Sequence, residues 1–140
     1  MQNPININIT GIQHIGIPVT DITASQAFYE RLGFASAMRA GFGPENERGT
    51  CIMMKRGNMV IELYQLPEKD LADIRSRKNG HIDHVAFDVP DIDAAYAALK
   101  EAGLNILEPE PVFLQFWDKG CKYFNITGPD GERLEFNQIL

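Results

Sequence analysis

The stretch Gly80-His-Ile-Asp-His-Val-Ala-Phe-Asp-Val89 is a near-copy of an earlier one, Gly11-Ile-Gln-His-Ile-Gly-Ile-Pro-Val19. A shift of seventy places lays His14 on His84, Val19 on Val89, Asp21 on Asp91, Ile22 on Ile92, Ala24 on Ala94, Ala27 on Ala97 and Gly33 on Gly103. With Ile12 on Ile82, the 24 positions from Gly11 to Phe34 hold eight identities. A repeat of this kind fixes architecture before any local reading does. Two copies are too few for a solenoid. They imply two fused modules, each contributing equivalent residues to one shared site.

The local signals repeat in the same order. Residues 11–19 are rich in Ile and Val and read as a strand. Asp21 stands as a helix N-cap, Ala24, Ala27, Phe28 and Leu32 have helical spacing, and Gly33 supplies the C-cap. Residues 34–39 form a second strand, 41–49 a Gly- and Pro-containing loop, and 50–55 with 59–65 a hairpin across Arg56-Gly57-Asn58. In the second module, 81–89 is a strand and Asp91 caps a helix that Gly103 ends. Residues 104–107 begin a strand before Pro109 and Pro111, and Phe113-Leu-Gln-Phe-Trp-Asp-Lys-Gly120 is an aromatic loop. Residues 122–127 and 132–138 pair across Gly128-Pro-Asp-Gly131. The expected fold is α+β: a first βαβββ module over 11–65, a polar linker with room for a short helix over 66–80, and a second module over 81–140. Residues 1–10, with Ile and Asn alternating from 5 to 9, read either as an added edge strand or as a loose arm.

Composition narrows the function classes. The chain has 140 residues, a net charge of -6 and 44% hydrophobic residues, as an ordinary globular protein does. Its basic residues are scattered, which argues against nucleic acid or an anionic membrane as partner. No apolar run approaches the roughly 20 residues that span a bilayer, and the N-terminus lacks the charged and apolar regions of a signal peptide. The expected location is cytoplasmic, with Cys51 and Cys121 reduced and structural.

Side chains alternate faces along a strand. Ile15, Ile17 and Val19 point to the helices, so His14 points away. Val85, Phe87 and Val89 do the same for His84. Met59, Ile61 and Leu63 leave Glu62 on the opposite face, and Leu134 and Phe136 leave Glu135 there. Each module therefore offers one His and one Glu on its non-helix face, from its first and last strands. Any one of them alone is ordinary: a hydrogen-bonded core histidine or a solvated strand carboxylate. Four at matching positions on matching faces make a donor set for a divalent metal, imidazole nitrogens with carboxylate oxygens.

The motifs His14-Ile-Gly-Ile, Ile61-Glu62-Leu63, Asp83-His84-Val85-Ala86 and Gly128-Pro-Asp-Gly-Glu-Arg-Leu-Glu135-Phe resemble the vicinal oxygen chelate superfamily, which holds glyoxalase I, methylmalonyl-CoA epimerase, fosfomycin-resistance enzymes, bleomycin-binding proteins and extradiol dioxygenases. The resemblance covers roughly residues 11–138. It implies two βαβββ modules forming a half-barrel cup around one divalent ion (nickel, cobalt, zinc or manganese) held by His14, Glu62, His84 and Glu135. The glyoxalase I likeness further implies that Glu135 moves a proton while the metal stabilises an enediolate.

Within the superfamily the residues point several ways. Glyoxalase I usually carries an Arg four places after its first His and an Asn four places after its first Glu. Pro18 and Leu66 stand there, which puts glutathione in question as a substrate carrier. Glu47-Arg-Gly-Thr followed by a strand is more like the epimerase, whose matching glutamate is a proposed second base, although that family's His-Pro-Lys-Asp turn is replaced by Gly128-Pro-Asp-Gly131. Glu47 is otherwise a solvated loop residue. Phe116 and Trp117 of the aromatic loop are candidates either for a lid over the substrate or for packing at an interface, and Asn125 for lining the cup beside Glu135. The leading expectation is a metal-dependent lyase or isomerase of glyoxalase I type acting on a small oxygenated molecule. The alternatives are an acyl-thioester epimerase and a non-catalytic drug-binding module. A homodimer is expected because open cups expose apolar edges.

Overall fold

The computed structural model of the protein describes residues 2–77, 82–129 and 133–140. Three expectations reach beyond that range: the end of the polar linker at 78–80, the start of the second module's first strand at His81, and the end of the Gly128–Gly131 turn with the start of the last strand at Glu132. Residues 14–83 make one compact unit, and residues 1–13 with 84–140 make another.

The unit 14–83 takes in β1 (Gly11–Pro18) from His14 onward, then α1 (Ile22–Arg31), β2 (Ala35–Phe42), β3 (Gly49–Arg56) and β4 (Met59–Gln65). β4 pairs in parallel with β1, with Gly16 opposite Glu62, and antiparallel with β3, which pairs antiparallel with β2. Gly57 takes a positive φ of 61° in the β3–β4 turn, a conformation that a residue without Cβ adopts freely. Ile22, Ile52, Met54 and Leu63 build the core between sheet and helix, joined by Ile17, Tyr29 and Ile61. The polar link holds a short helix, α2 (Leu71–Ser76), anchored by its buried Leu71.

The other unit repeats the plan with β5 (His84–Asp88), α3 (Ile92–Glu101), β6 (Val112–Leu114), β7 (Cys121–Thr127) and β8 (Arg133–Ile139). β5 is parallel to β8, β8 antiparallel to β7, and β7 antiparallel to β6. Phe124 stacks on Phe136 at a centroid separation of 5.2 Å, within a core that includes Val89, Ile92, Leu99 and Ile126. The N-terminal arm is neither strand nor loose. Ile5 and Ile7 pack on this core, and Thr10 donates its backbone N–H to the Asp88 carbonyl at 3.0 Å.

Both helices start as the repeat predicts. Asp21 Oδ1 accepts from the Ala24 N–H and Asp91 Oδ1 from the Ala94 N–H, each at 3.0 Å. A second cap was not foreseen. The Ile22 N–H donates to Gln65 Oε1 at 2.8 Å and the Ile92 N–H to Gln138 Oε1 at 3.0 Å. Each Gln lies three residues past a candidate ligand glutamate, on the face turned toward the helix, and ties the last strand of its unit to the helix N-terminus.

Several local expectations need correction. The inward face of α1 runs through Ile22 and Tyr29, not through Ala24, Ala27, Phe28 and Leu32; Phe28 is 54% exposed. Tyr29 wins because its ring meets Phe34 edge-on at 6.0 Å. Met59 lies exposed at the hairpin instead of in the core. Phe113 belongs to the short edge strand β6, so the aromatic loop is shorter than its composition suggests. Residues 104–107 form only an isolated bridge between Ile106 and Ile126, because Pro109 and Pro111 cannot continue a ladder. Among the described residues, no helix is long and apolar enough to cross a membrane.

Candidate metal centre and its relatives

In the unit 14–83, strand alternation puts His14 on the face away from the core, and the parallel register of β1 with β4 sets Glu62 beside it. His14 is 1% exposed, and its Nε2 lies 3.8 Å from Glu62 Oε2. That distance is within ion-pair range but too long for a hydrogen bond. Met53 is the cross-strand neighbour of Glu62, and Tyr64 packs edge-on against Phe42 on the same side.

In the other unit, His84 and Glu135 occupy the equivalent strands and are both buried. His84 Nε2 lies 3.1 Å from Glu135 Oε2. Two cis ligands on an ion with bonds of about 2.1 Å sit about 3 Å apart, so this pair has the spacing and donor chemistry of a metal edge. Asn125 lies opposite Glu135 in the β7–β8 ladder and is buried, as the inward placement of Phe124 and Ile126 requires.

Two neighbouring residues were missed. Asn137, two places beyond Glu135 and on the same face, donates from Nδ2 to Glu135 Oε1 at 2.8 Å. Strand alternation alone was enough to flag it. Glu108 carries no such signal. Its carboxylate accepts from the Asn125 backbone N–H at 2.9 Å and from Asn125 Nδ2 at 2.7 Å.

Three more predicted residues lie on loops, Glu47 in the unit 14–83 and Phe116 and Trp117 in the other. Glu47 is an exposed loop carboxylate that accepts from Lys69 Nζ at 2.7 Å. This hydrogen bond, with the Glu47 charge, raises the Lys69 pKa above its ordinary value. Phe116 is buried at 4% exposure within the unit that holds β5 to β8. Trp117 follows it with a left-handed backbone, φ 62°, unusual for so bulky a residue.

The Glyoxalase/Bleomycin resistance protein/Dioxygenase superfamily matches residues 11–136. A relative from Bacillus subtilis (strain 168), the uncharacterized protein YwbC, is 32% identical over 142 residues, covering 91% of this chain and 96% of its own. The metallothiol transferase FosB of Staphylococcus epidermidis is 29% identical, covering 94% and 83%. Among solved structures, a Streptomyces coelicolor methylmalonyl-CoA epimerase variant in complex with 2-nitronate-propionyl-CoA is 25% identical, with a TM-score of 0.69 over 94% of this chain and 98% of that one. The methylmalonyl-CoA epimerase of Mycobacterium tuberculosis shares the fold at 18% identity, with a TM-score of 0.74 and coverage of 96% and 91%. With nearly all of both βαβββ modules inside the matched region, the chain belongs to the Glyoxalase/Bleomycin resistance protein/Dioxygenase superfamily.

Proposed function

We propose that the protein is a metal-dependent lyase or isomerase that moves a proton at a carbon next to a carbonyl in a small oxygenated substrate. The observation that carries this reading is the His–Glu pair found in each unit, His14 with Glu62 and His84 with Glu135. The four residues together are the proposed ligands of one divalent ion: nickel, cobalt, zinc or manganese. When bound, such an ion supplies a Lewis acid that stabilises negative charge on the substrate's neighbouring oxygens. The chain's own contribution to the chemistry is Glu135, whose carboxylate takes the proton from one carbon and returns it to the next. Asn125 is the proposed substrate contact beside it, with Phe116 and Trp117 shaping the approach.

Metal content of untagged protein tests the reading. The expected result is about one divalent ion per chain, with affinity lowered in Glu62→Ala, and solvent deuterium entering the α carbon of the substrates that turn over. Protein that neither carries nor takes up metal overturns it and leaves the ligand-binding module in its place. The likeness to a methylmalonyl-CoA epimerase favours a second reading, an acyl-thioester epimerase with Glu47 as second base. Incubation with methylmalonyl-CoA in deuterated water decides that case, since an unexchanged α carbon removes it. A homodimer is the proposed assembly, motivated by exposed Ile12 and Ile82, and sedimentation velocity reads it directly.

A further inference from the structure

Asn137 is 3% exposed, and its carboxamide is used unevenly. Nδ2 donates to Glu135 Oε1 at 2.8 Å and lies 3.9 Å from Cys121 Sγ, a weak acceptor. Oδ1 is enclosed and has no hydrogen-bond partner among the described residues. A buried amide oxygen without a donor is a cost that a leucine of similar shape does not carry. Packing and stability alone therefore do not select asparagine here. The donor does: an ionised carboxylate accepts only, so the Asn137 nitrogen, not its oxygen, faces Glu135.

The backbone beneath Asn137 is well anchored. Its carbonyl accepts from the Val89 N–H at 3.0 Å and from Gln13 Nε2 at 3.2 Å, and its strand pairs with β7 through Tyr123. A side chain on such a base has little freedom to follow Glu135, so Glu135 is held to it. With Oε1 engaged, the oxygen beside His84 Nε2 is Oε2, at 3.1 Å.

We propose that Asn137 is a positioning residue: it occupies Glu135 Oε1 so that Glu135 offers the metal one oxygen, Oε2, and binds through that oxygen alone. This rests on the metal reading above. Loss of the donor frees the carboxylate to rotate and to bind through both oxygens. Ligand-orienting partners of this kind change metal affinity by about 10–100-fold when removed.

The test uses the full chain, stripped of metal and titrated with cobalt(II), whose visible absorption reports coordination number. Asn137→Ala removes the donor by truncation; Asn137→Leu removes both polar atoms at similar shape. The expected result is cobalt binding weaker by about 10–100-fold in both, with an altered band shape and intensity relative to the unsubstituted protein. Folded variants that bind cobalt with unchanged affinity and spectrum overturn the proposal. If one variant fails to fold, the other decides. If neither folds, exchange of the Asn137 side-chain amide is followed by NMR in zinc-loaded, unsubstituted protein. Slow exchange of one N–H supports the contact, and exchange as fast as a free amide refutes it. Unsubstituted protein that takes up no cobalt removes the metal reading itself, an outcome distinct from normal uptake that is indifferent to residue 137.

Discussion

Replacing Glu108 by Ala tests how Asn125 is held beside Glu135. After the bridge between Ile106 and Ile126, the Leu107 N–H donates to the Asn125 carbonyl at 2.9 Å, and among the described residues no loop or turn carbonyl answers the Asn125 N–H. The Glu108 carboxylate stands in, accepting from that N–H at 2.9 Å and from the side-chain Nδ2 at 2.7 Å. Hydrogen bonds to a charged group contribute about 1.5–3 kcal/mol each, and an amide left buried without an acceptor costs about 1–3 kcal/mol. Asn125 is buried but Glu108 only half-buried, so solvent replaces part of what is lost. The expected destabilisation is about 2–3 kcal/mol. For a chain of this length each kcal/mol moves Tm by about 2–4 °C, giving a fall of about 5–10 °C. Urea unfolding of the single and double variants of Glu108 and Asn125 to Ala isolates the pair, with an expected coupling of at least about 1 kcal/mol. Unfolding free energies for Glu108→Ala within about 0.5 kcal/mol of the parent refute the argument, because they show the Asn125 N–H to be satisfied without the carboxylate.

Two further outcomes follow from local geometry. Gly120 has φ 89°, and a Cβ there falls on the Phe113 ring and 2.9 Å from the Leu114 carbonyl oxygen. Gly120→Ala is expected to cost about 2–4 kcal/mol by chemical denaturation, combining left-handed strain with overpacking, against about 1 kcal/mol for Gly57→Ala, where nothing lies within 4 Å. For Lys69, folding raises the pKa above 10.5 through Glu47. The pair's contribution to stability is then fully present below that value and fades as pH rises through the higher folded one. NMR titration of the Lys69 ammonium is expected to show its pKa falling in Glu47→Gln; an unchanged value means that the exposed pair does not persist in solution.

How much was legible depends on which physical signal carried each feature. The repeat and period-two alternation placed His14, Glu62, His84 and Glu135 on the faces away from the helices, because a strand whose core residues are identified leaves its remaining side chains one direction to point. Helix starts were legible through Asp21 and Asp91, since an N-cap reaches only three residues along the chain. The inward face of α1 was not, because alanines tolerate either side and the choice fell to the packing of Tyr29 on Phe34. Glu108 was invisible because its role exists only once Pro109 has broken the ladder beside Asn125. Most telling is the position two beyond each glutamate. In the first unit it is Tyr64, with its ring against Phe42; in the second it is Asn137, with its amide on Glu135. The shared frame repeats the proposed metal donors, while the residues beside them differ. The asymmetry is what the positioning proposal requires: an amide donor stands beside Glu135, where the equivalent place in the first unit holds a ring.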